Sequence, residues 1–173
     1  MPSNMVLTIS ALLAMVCLGT AAPDPQYQKP NDVVAVEESS ASNQCRDSSF
    51  SYLGDTDKMV PIADCNNLLA LWDPGHFTYQ LSCWENSTAL ADHFLVLAAN
   101  GSCEFAIKRI DGLDNTIMLG DQDMKDLLHT SIASSRDGVT FETVEGQMNC
   151  NSDVASNGES NFEWTIRTPG SIN

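Results

Sequence analysis

The stretch 93-HFLVLAANGSCEFAIKRI-110 decides the fold class, because it sets two apolar runs on either side of Asn100-Gly101. Tight hairpin turns need a positive φ, which glycine adopts without steric cost, so Asn-Gly between apolar runs signals two antiparallel strands. A second reading competes with the first. The run 86-NSTALADHFLVLAA-99 can start a helix at Ser87 or Thr88, leaving 103-CEFAIKRI-110 as the only strand. Ala and Leu favour that helix by propensity. At the level of sequence both readings stand.

Working outward, 77-FTYQLSCW-84 alternates, so that Phe77, Tyr79, Leu81 and Cys83 share one face of a strand. Ahead of it, 61-PIADCNNLLALW-72 spaces Ile62, Cys65, Leu68, Leu69 and Trp72 as a helical stripe; Pro61 suits a helix start, and Asp-Pro-Gly at 73–75 stops it. Towards the C-terminus, 139-VTFETV-144 and 162-FEWTIR-167 read as strands, with 151-NSDVASNGES-160 as a linker between them. There is no internal repeat. The pattern predicts an α+β domain, small and disulfide-stabilised, with an antiparallel sheet packed by about two helices.

The second helix rests on 120-GDQDMKDLL-128, where Asp121, Asp123 and Asp126 crowd together. As a calcium loop beginning at Asp121 this segment fails at three places. An EF-hand wants an oxygen ligand fifth, Gly sixth and Glu twelfth, and Lys125, Asp126 and Ile132 stand there. A helix start accounts for more of the residues. Met124, Leu127, Leu128 and Ile132 recur at helical spacing. Asp123 can accept the unpaired first-turn N–H groups, with Asp126 three residues on as in a capping box. Negative charge there also suits the helix dipole, by about 0.3–1 kcal/mol per residue. No metal, cofactor or catalytic residue is assigned.

The ends of the chain read differently. The uncharged run 5-MVLTISALLAMVCLGTAA-22 ends in small residues, as a secretory signal does, and Gly19 and Ala21 place cleavage after Ala21. Residues 1–21 are therefore read as a signal peptide and 22–44 as a flexible, Pro-containing acidic leader; 45–150 form a cysteine-bounded domain, and 151–173 an extension with one strand. No later run approaches the roughly 18 apolar residues of a membrane helix. The expected location is extracellular. Two N-glycosylation triplets, at Asn86 and Asn100, suit that route.

Six cysteines less Cys17 in the signal leave five: Cys45, Cys65, Cys83, Cys103 and Cys150. Export implies disulfides, an odd count implies one left over, and neither CxxC nor zinc spacing occurs. With 23 acidic against 8 basic residues the net charge is −15, which argues against binding nucleic-acid phosphates or anionic lipid.

The segments CRDSSF (45–50), ADC (63–65), GSCEFAI (101–107), GDQDMKDLL (120–128) and GQMNC (146–150) occur in an order that resembles the fungal extracellular-protein-2 effector domain, a necrosis-inducing factor family. The resemblance covers about Gln44 to Cys150. It implies a small, cysteine-stabilised protein secreted by fungi, acting by binding outside or at host cells and able to cause plant necrosis. Relatives joined to chitin-degrading, killer-toxin-like proteins imply an alternative role against competing microbes. The partner would be a host or microbial protein or a cell-wall component. Cys45, Cys65, Cys103 and Cys150 occupy motif positions, and nested pairing, Cys45–Cys150 with Cys65–Cys103, is favoured, with Cys83–Cys103 as competitor. Cys83 stands outside the frame as the candidate unpaired thiol, giving a monomer or a dimer linked through it. The resemblance brings no catalytic residues. A cell-wall hydrolase is the remaining class, and the sequence lacks the GxSxG and HExxH patterns; His76 and His93 read as surface or partly buried side chains. No enzymatic activity is expected.

Overall fold

The computed structural model describes residues 28–54, 58–72, 75–86, 94–153 and 159–170. The expected signal peptide and its cleavage site lie outside them. In chain order the elements are β1 (Gln28–Glu37), β2 (Ser51–Tyr52), β3 (Val60–Pro61), α1 (Ile62–Trp72), β4 (Phe77–Asn86), β5 (Leu95–Asn100), β6 (Cys103–Arg109), β7 (Ile117–Gly120), α2 (Asp121–Ala133), β8 (Thr140–Phe141), β9 (Val144–Asn151) and β10 (Glu159–Arg167). The main sheet is antiparallel, ordered β2-β9-β10-β6-β1-β4-β7, with β5 also pairing β6, while β3 and β8 form a separate pair. Ile117 bridges Ser152, and Asp153 N–H donates to Thr116 O, so the β7 end of the sheet curls back towards β9. The fold is α+β, with two helices and mostly strands among the described residues.

The apolar periodicity explains which faces are covered. Cys65, Leu68 and Trp72 of α1 and Met124, Leu127 and Leu128 of α2 are buried. They meet Phe105 and Ile107 of β6, Leu119 of β7 and Phe162, Trp164 and Ile166 of β10 in one core. Trp72 stands edge-on to Phe105 and Phe50 edge-on to Trp164, at 6.3 and 5.1 Å between centroids. Each large side chain taken fully out of water contributes about 1.5–3 kcal/mol. The hairpin reading of 93–110 prevails: β5 pairs β6 through the two-residue turn Gly101-Ser102. Gly101 takes φ 55°, the left-handed conformation required at the first central position of a II′ turn. From the other side Asp64 of α1 accepts the Ser102 N–H at 2.7 Å, fastening helix to hairpin.

Two disulfides lie in this frame, Cys45–Cys150 and Cys65–Cys103. The first ties the segment before β2 to β9; the second ties α1 to β6. Cys83 is also disulfide-bonded, which corrects its reading as an unpaired thiol.

Other corrections concern local pattern. Within the expected flexible leader, residues 28–37 form β1, antiparallel to β4 from Gln28 opposite Asn86 to Glu37 opposite Phe77. The sequence concealed this strand because residues 32–37 are exposed on both faces and so show no alternation. In β4 the alternation breaks near its end: Leu81 is buried, Cys83 takes φ 54°, and Trp84 is the next buried residue. The strand expected at 139–144 is divided between β8 and the start of β9.

The core also holds a cation. Arg109, fully buried, donates to Asp111 Oδ1 at 2.5 Å, Asn115 O at 2.6 Å, Asn115 Oδ1 at 2.5 Å and Ser160 Oγ at 3.0 Å, with its guanidinium 4.9 Å from the Trp84 ring. Burial raises the Asp111 pKa, but Arg109 and the N–H groups of Leu113 and Asn161 outweigh it and hold the carboxyl below its ordinary value.

Candidate functional site

The acidic start of α2 is where the chain gathers carboxylates, and the fold commits two of the three. Asp121 is fully buried. It accepts Ser42 N–H at 2.8 Å and Lys125 Nζ at 2.9 Å, and lies 3.3 Å from His76 Nδ1. Burial pushes its pKa up, but Ser42, Lys125 and His76 outweigh that and hold it below the ordinary value. Asp123 accepts three backbone N–H groups, from Gln44 at 2.8 Å, Gly120 at 2.9 Å and Cys45 at 3.2 Å. There burial prevails over the donors, with the charge of Asp126 adding to it, and the pKa lies above the ordinary value.

These bonds assign roles the sequence did not separate. Asp123 is the third residue of α2 and caps it by reaching back to the N–H of Gly120. Gly120 is required there because a Cβ would collide with the carbonyl oxygen of Ser42. Asp126 is exposed and accepts Gln122 Nε2 at 2.7 Å, so it plays no part in the cap, contrary to expectation. Its place one turn into the helix puts it beyond the unpaired N–H groups. Asp121, the residue without an assigned role, is the most buried of the three. Together the carboxylates fasten residues 42–45 onto α2 while Cys45–Cys150 fastens them to β9.

Beside this clamp lies an open cleft of about 270 Å³ between residues 43–50, α2 and β9. Phe50, Leu127 and Met148 give it an apolar floor, while Asn43, Asp47 and Asp126 supply polar groups. Arg46 on its rim pairs with Glu159 of β10. The cleft offers hydrogen-bonding and anionic groups over an apolar base. No histidine lines it. The His76–Asp121 contact has the form of a base and its orienting acid, but the nearby Ser42 hydroxyl bonds Thr78 Oγ1 at 2.6 Å and Gln44 Nε2 at 3.0 Å instead. Among the described residues no group of three or more His, Cys, Asp or Glu side chains is placed to hold a metal ion.

On the far face of β6 and β10, Lys108 pairs with Glu163 at 2.7 Å and Arg167 with Glu104 at 2.8 Å. The Phe94 ring lies 4.4 Å from Lys108 Nζ and 5.2 Å from the Arg167 guanidinium. The dibasic pair Lys108-Arg109 is thus structural, each member engaged on one face of β6. Of the glycosylation triplets, Asn100 is half-buried at the end of β5 with Ser102 in the turn, and Asn86 closes β4 with the rest of its triplet outside the described residues. His93 also lies outside them.

Among the described residues no helix is long and apolar enough to cross a membrane. A family model, Hce2, described as "pathogen effector; putative necrosis-inducing factor", matches residues 44–150. No curated protein matches the chain.

Proposed function

The chain belongs to the Hce2 family of pathogen effectors, and from that premise we propose that it is a secreted effector that acts by binding outside or at host cells, with host necrosis as its outcome. The observation that carries this reading is the coincidence of two boundaries. The family match spans 44–150, and the outer disulfide joins Cys45 to Cys150, so the family unit is the covalently closed part of the molecule. Two disulfides suit export into an oxidising compartment, as does the uncharged leading run. Glycans on Asn86 and Asn100 belong to the same route.

Binding rather than catalysis is the mode proposed. Asp121, Asp123 and Ser42 are engaged in holding the fold, and the cleft beside them presents Asn43, Asp47 and Asp126 over an apolar floor. The acidic balance points away from lysis of anionic membranes, which cationic amphipathic helices perform.

Leaf infiltration tests the proposal. Purified oxidised protein is expected to cause necrosis in a responsive host, and protein reduced and alkylated beforehand is expected to cause none. Equal responses to both preparations, or none in any tissue, would overturn it; growth inhibition of other microbes without any plant response would favour the antimicrobial alternative.

A further inference from the structure

The edges of the main sheet are unequally protected. The β2 edge is two residues long, β5 carries an irregularity between Val96 and Ala98, and β7 is short and bridged towards β9. Such devices prevent strands from pairing with foreign chains. β1 has none of them beyond Pro30. It meets β6 only at Gln28 opposite Arg109, so along 32–37 it pairs β4 on one side and, among the described residues, nothing on the other.

The hydrogen-bond phase of this open edge can be assigned. Glu38 N–H donates to His76 O at 2.8 Å, continuing the β1–β4 register. Antiparallel ladders alternate bonded and non-bonded pairs, so Val36, Val34 and Asp32 bond to β4 while the backbone groups of Val33, Ala35 and Glu37 point outward. The side chains beside them are apolar and open to water, with Val33, Val34 and Val36 40, 46 and 37 % exposed.

Charge selects the occupant. Asp32, Glu37 and Glu38 frame the valines, and no Lys or Arg occurs from residue 30 to 45. A second copy paired antiparallel about Ala35 would set each Asp32 opposite the other's Glu38, and like charges directly opposed destabilise a strand pair. We propose that the free edge of β1 is a docking site for an extended, basic peptide segment of a partner protein, which adds a strand through Val33, Ala35 and Glu37 and seats cations against Asp32 and Glu38, which share one face. Main-chain bonds supply affinity in such strand addition and side chains supply selectivity. The inference names a partner class for a protein that acts by binding, and rests on that reading. A peptide assay can fail while the leaf response persists, so the two are separable.

The test uses the whole oxidised chain with the synthetic peptide Lys-Val-Thr-Val-Thr-Val-Lys and a counterpart carrying Glu for Lys. The basic peptide is expected to slow amide exchange at Val33, Ala35 and Glu37 by at least about tenfold. Its binding should weaken with salt, and the acidic counterpart should not bind. Ala35→Pro removes an outward N–H without touching the β4 ladder, and is expected to abolish the protection. Asp32→Lys, an exposed change on the face that meets the peptide's lysines, should weaken the basic peptide and admit the acidic one. Absence of protection at these amides, equal binding by both variants, or protection that rises with protein concentration alone would overturn the proposal, the last by assigning the edge to a second copy.

Discussion

Gln44 and Asp123 stand 79 residues apart, yet the N–H of Gln44 donates to the Asp123 carboxylate at 2.8 Å. That bond and its companions from Cys45 and Gly120 make one side chain both a helix cap and a clamp on the chain entering the domain. Asp123→Ala leaves three N–H groups in a partly buried place without their acceptor, and is expected to cost about 1–3 kcal/mol in chemical denaturation. Asp123→Asn, which keeps one acceptor oxygen, should cost less. Asp126→Ala, on the exposed side of the same helix, should change stability by no more than about 0.5 kcal/mol.

The disulfides differ in the loops they close. Cys45–Cys150 spans 105 residues and Cys65–Cys103 spans 38. Loop-closure entropy assigns them about 4.7 and about 4 kcal/mol respectively. Replacing Cys45 and Cys150 together by Ala is therefore expected to lower stability by at least as much as replacing Cys65 and Cys103, by about 2–5 kcal/mol in either case. Urea unfolding of the two double variants, each retaining the other bond, measures the difference.

Acid should weaken the fold through two carboxyls in particular. Asp111 and Asp121 titrate below their ordinary value of 3.8 in the folded chain, so the unfolded chain takes up protons first as the pH falls. Their contribution is complete above the unfolded value and is lost as the pH drops through the folded values. Glu145, raised by burial and by Glu163, has the opposite sign: its proton uptake favours the folded chain. Asp121→Asn should thus lower stability at neutral pH and flatten the decline between about pH 5 and pH 1, while Glu145→Gln should not flatten it. Urea midpoints measured across that range decide the matter.

What the sequence disclosed divides along physical lines. α1 and α2 were legible because Cys65, Leu68 and Trp72, and Met124, Leu127 and Leu128, bury one stripe each and so print a helical period. β10 was legible because Phe162, Trp164 and Ile166 alternate with less buried neighbours. β1 was not, since a strand open on both faces carries no such signature, and its valines sat among the acidic and proline residues of an apparent leader. At the clamp, the aspartates were legible as a helix start, but nothing local reveals that Asp121 and Asp123 meet Ser42, Gln44 and Cys45. Those contacts join distant segments and depend on the fold to bring them together.

Arg109 supplies a sharper stability test. Its guanidinium serves Asp111, Asn115 and Ser160 at once, and removing it leaves a partly buried carboxylate without its countercharge. Arg109→Met is expected to cost about 3–5 kcal/mol. Arg109→Lys should rescue little, because a single ammonium cannot reproduce the planar fork. Adding Asp111→Asn to Arg109→Met should recover part of the loss, and a double-mutant cycle measures that coupling.

The family unit ends at Cys150, but the fold does not. β10 pairs β9 from Glu159 to Ile166 and β6 from Phe162 to Arg167, which places it inside the sheet. A chain ending at Cys150 exposes the facing edges of β9 and β6 and loses Phe162, Trp164 and Ile166 from the core. Trp164 is fully buried, stands edge-on to Phe50 and donates from Nε1 to Ser48 Oγ at 2.6 Å. Trp164→Ala is expected to cost about 3–5 kcal/mol, and loss of the whole strand exceeds the typical stability of a domain this size, about 5–15 kcal/mol. The shortened chain should therefore show neither a cooperative thermal transition nor near-UV circular dichroism, although both disulfide pairs remain in its sequence. A chain lacking only residues 169–173 should keep both signals, because β10 ends at Arg167. Cooperative unfolding of the chain cut at Cys150 would show that the cysteine frame suffices without its central strand.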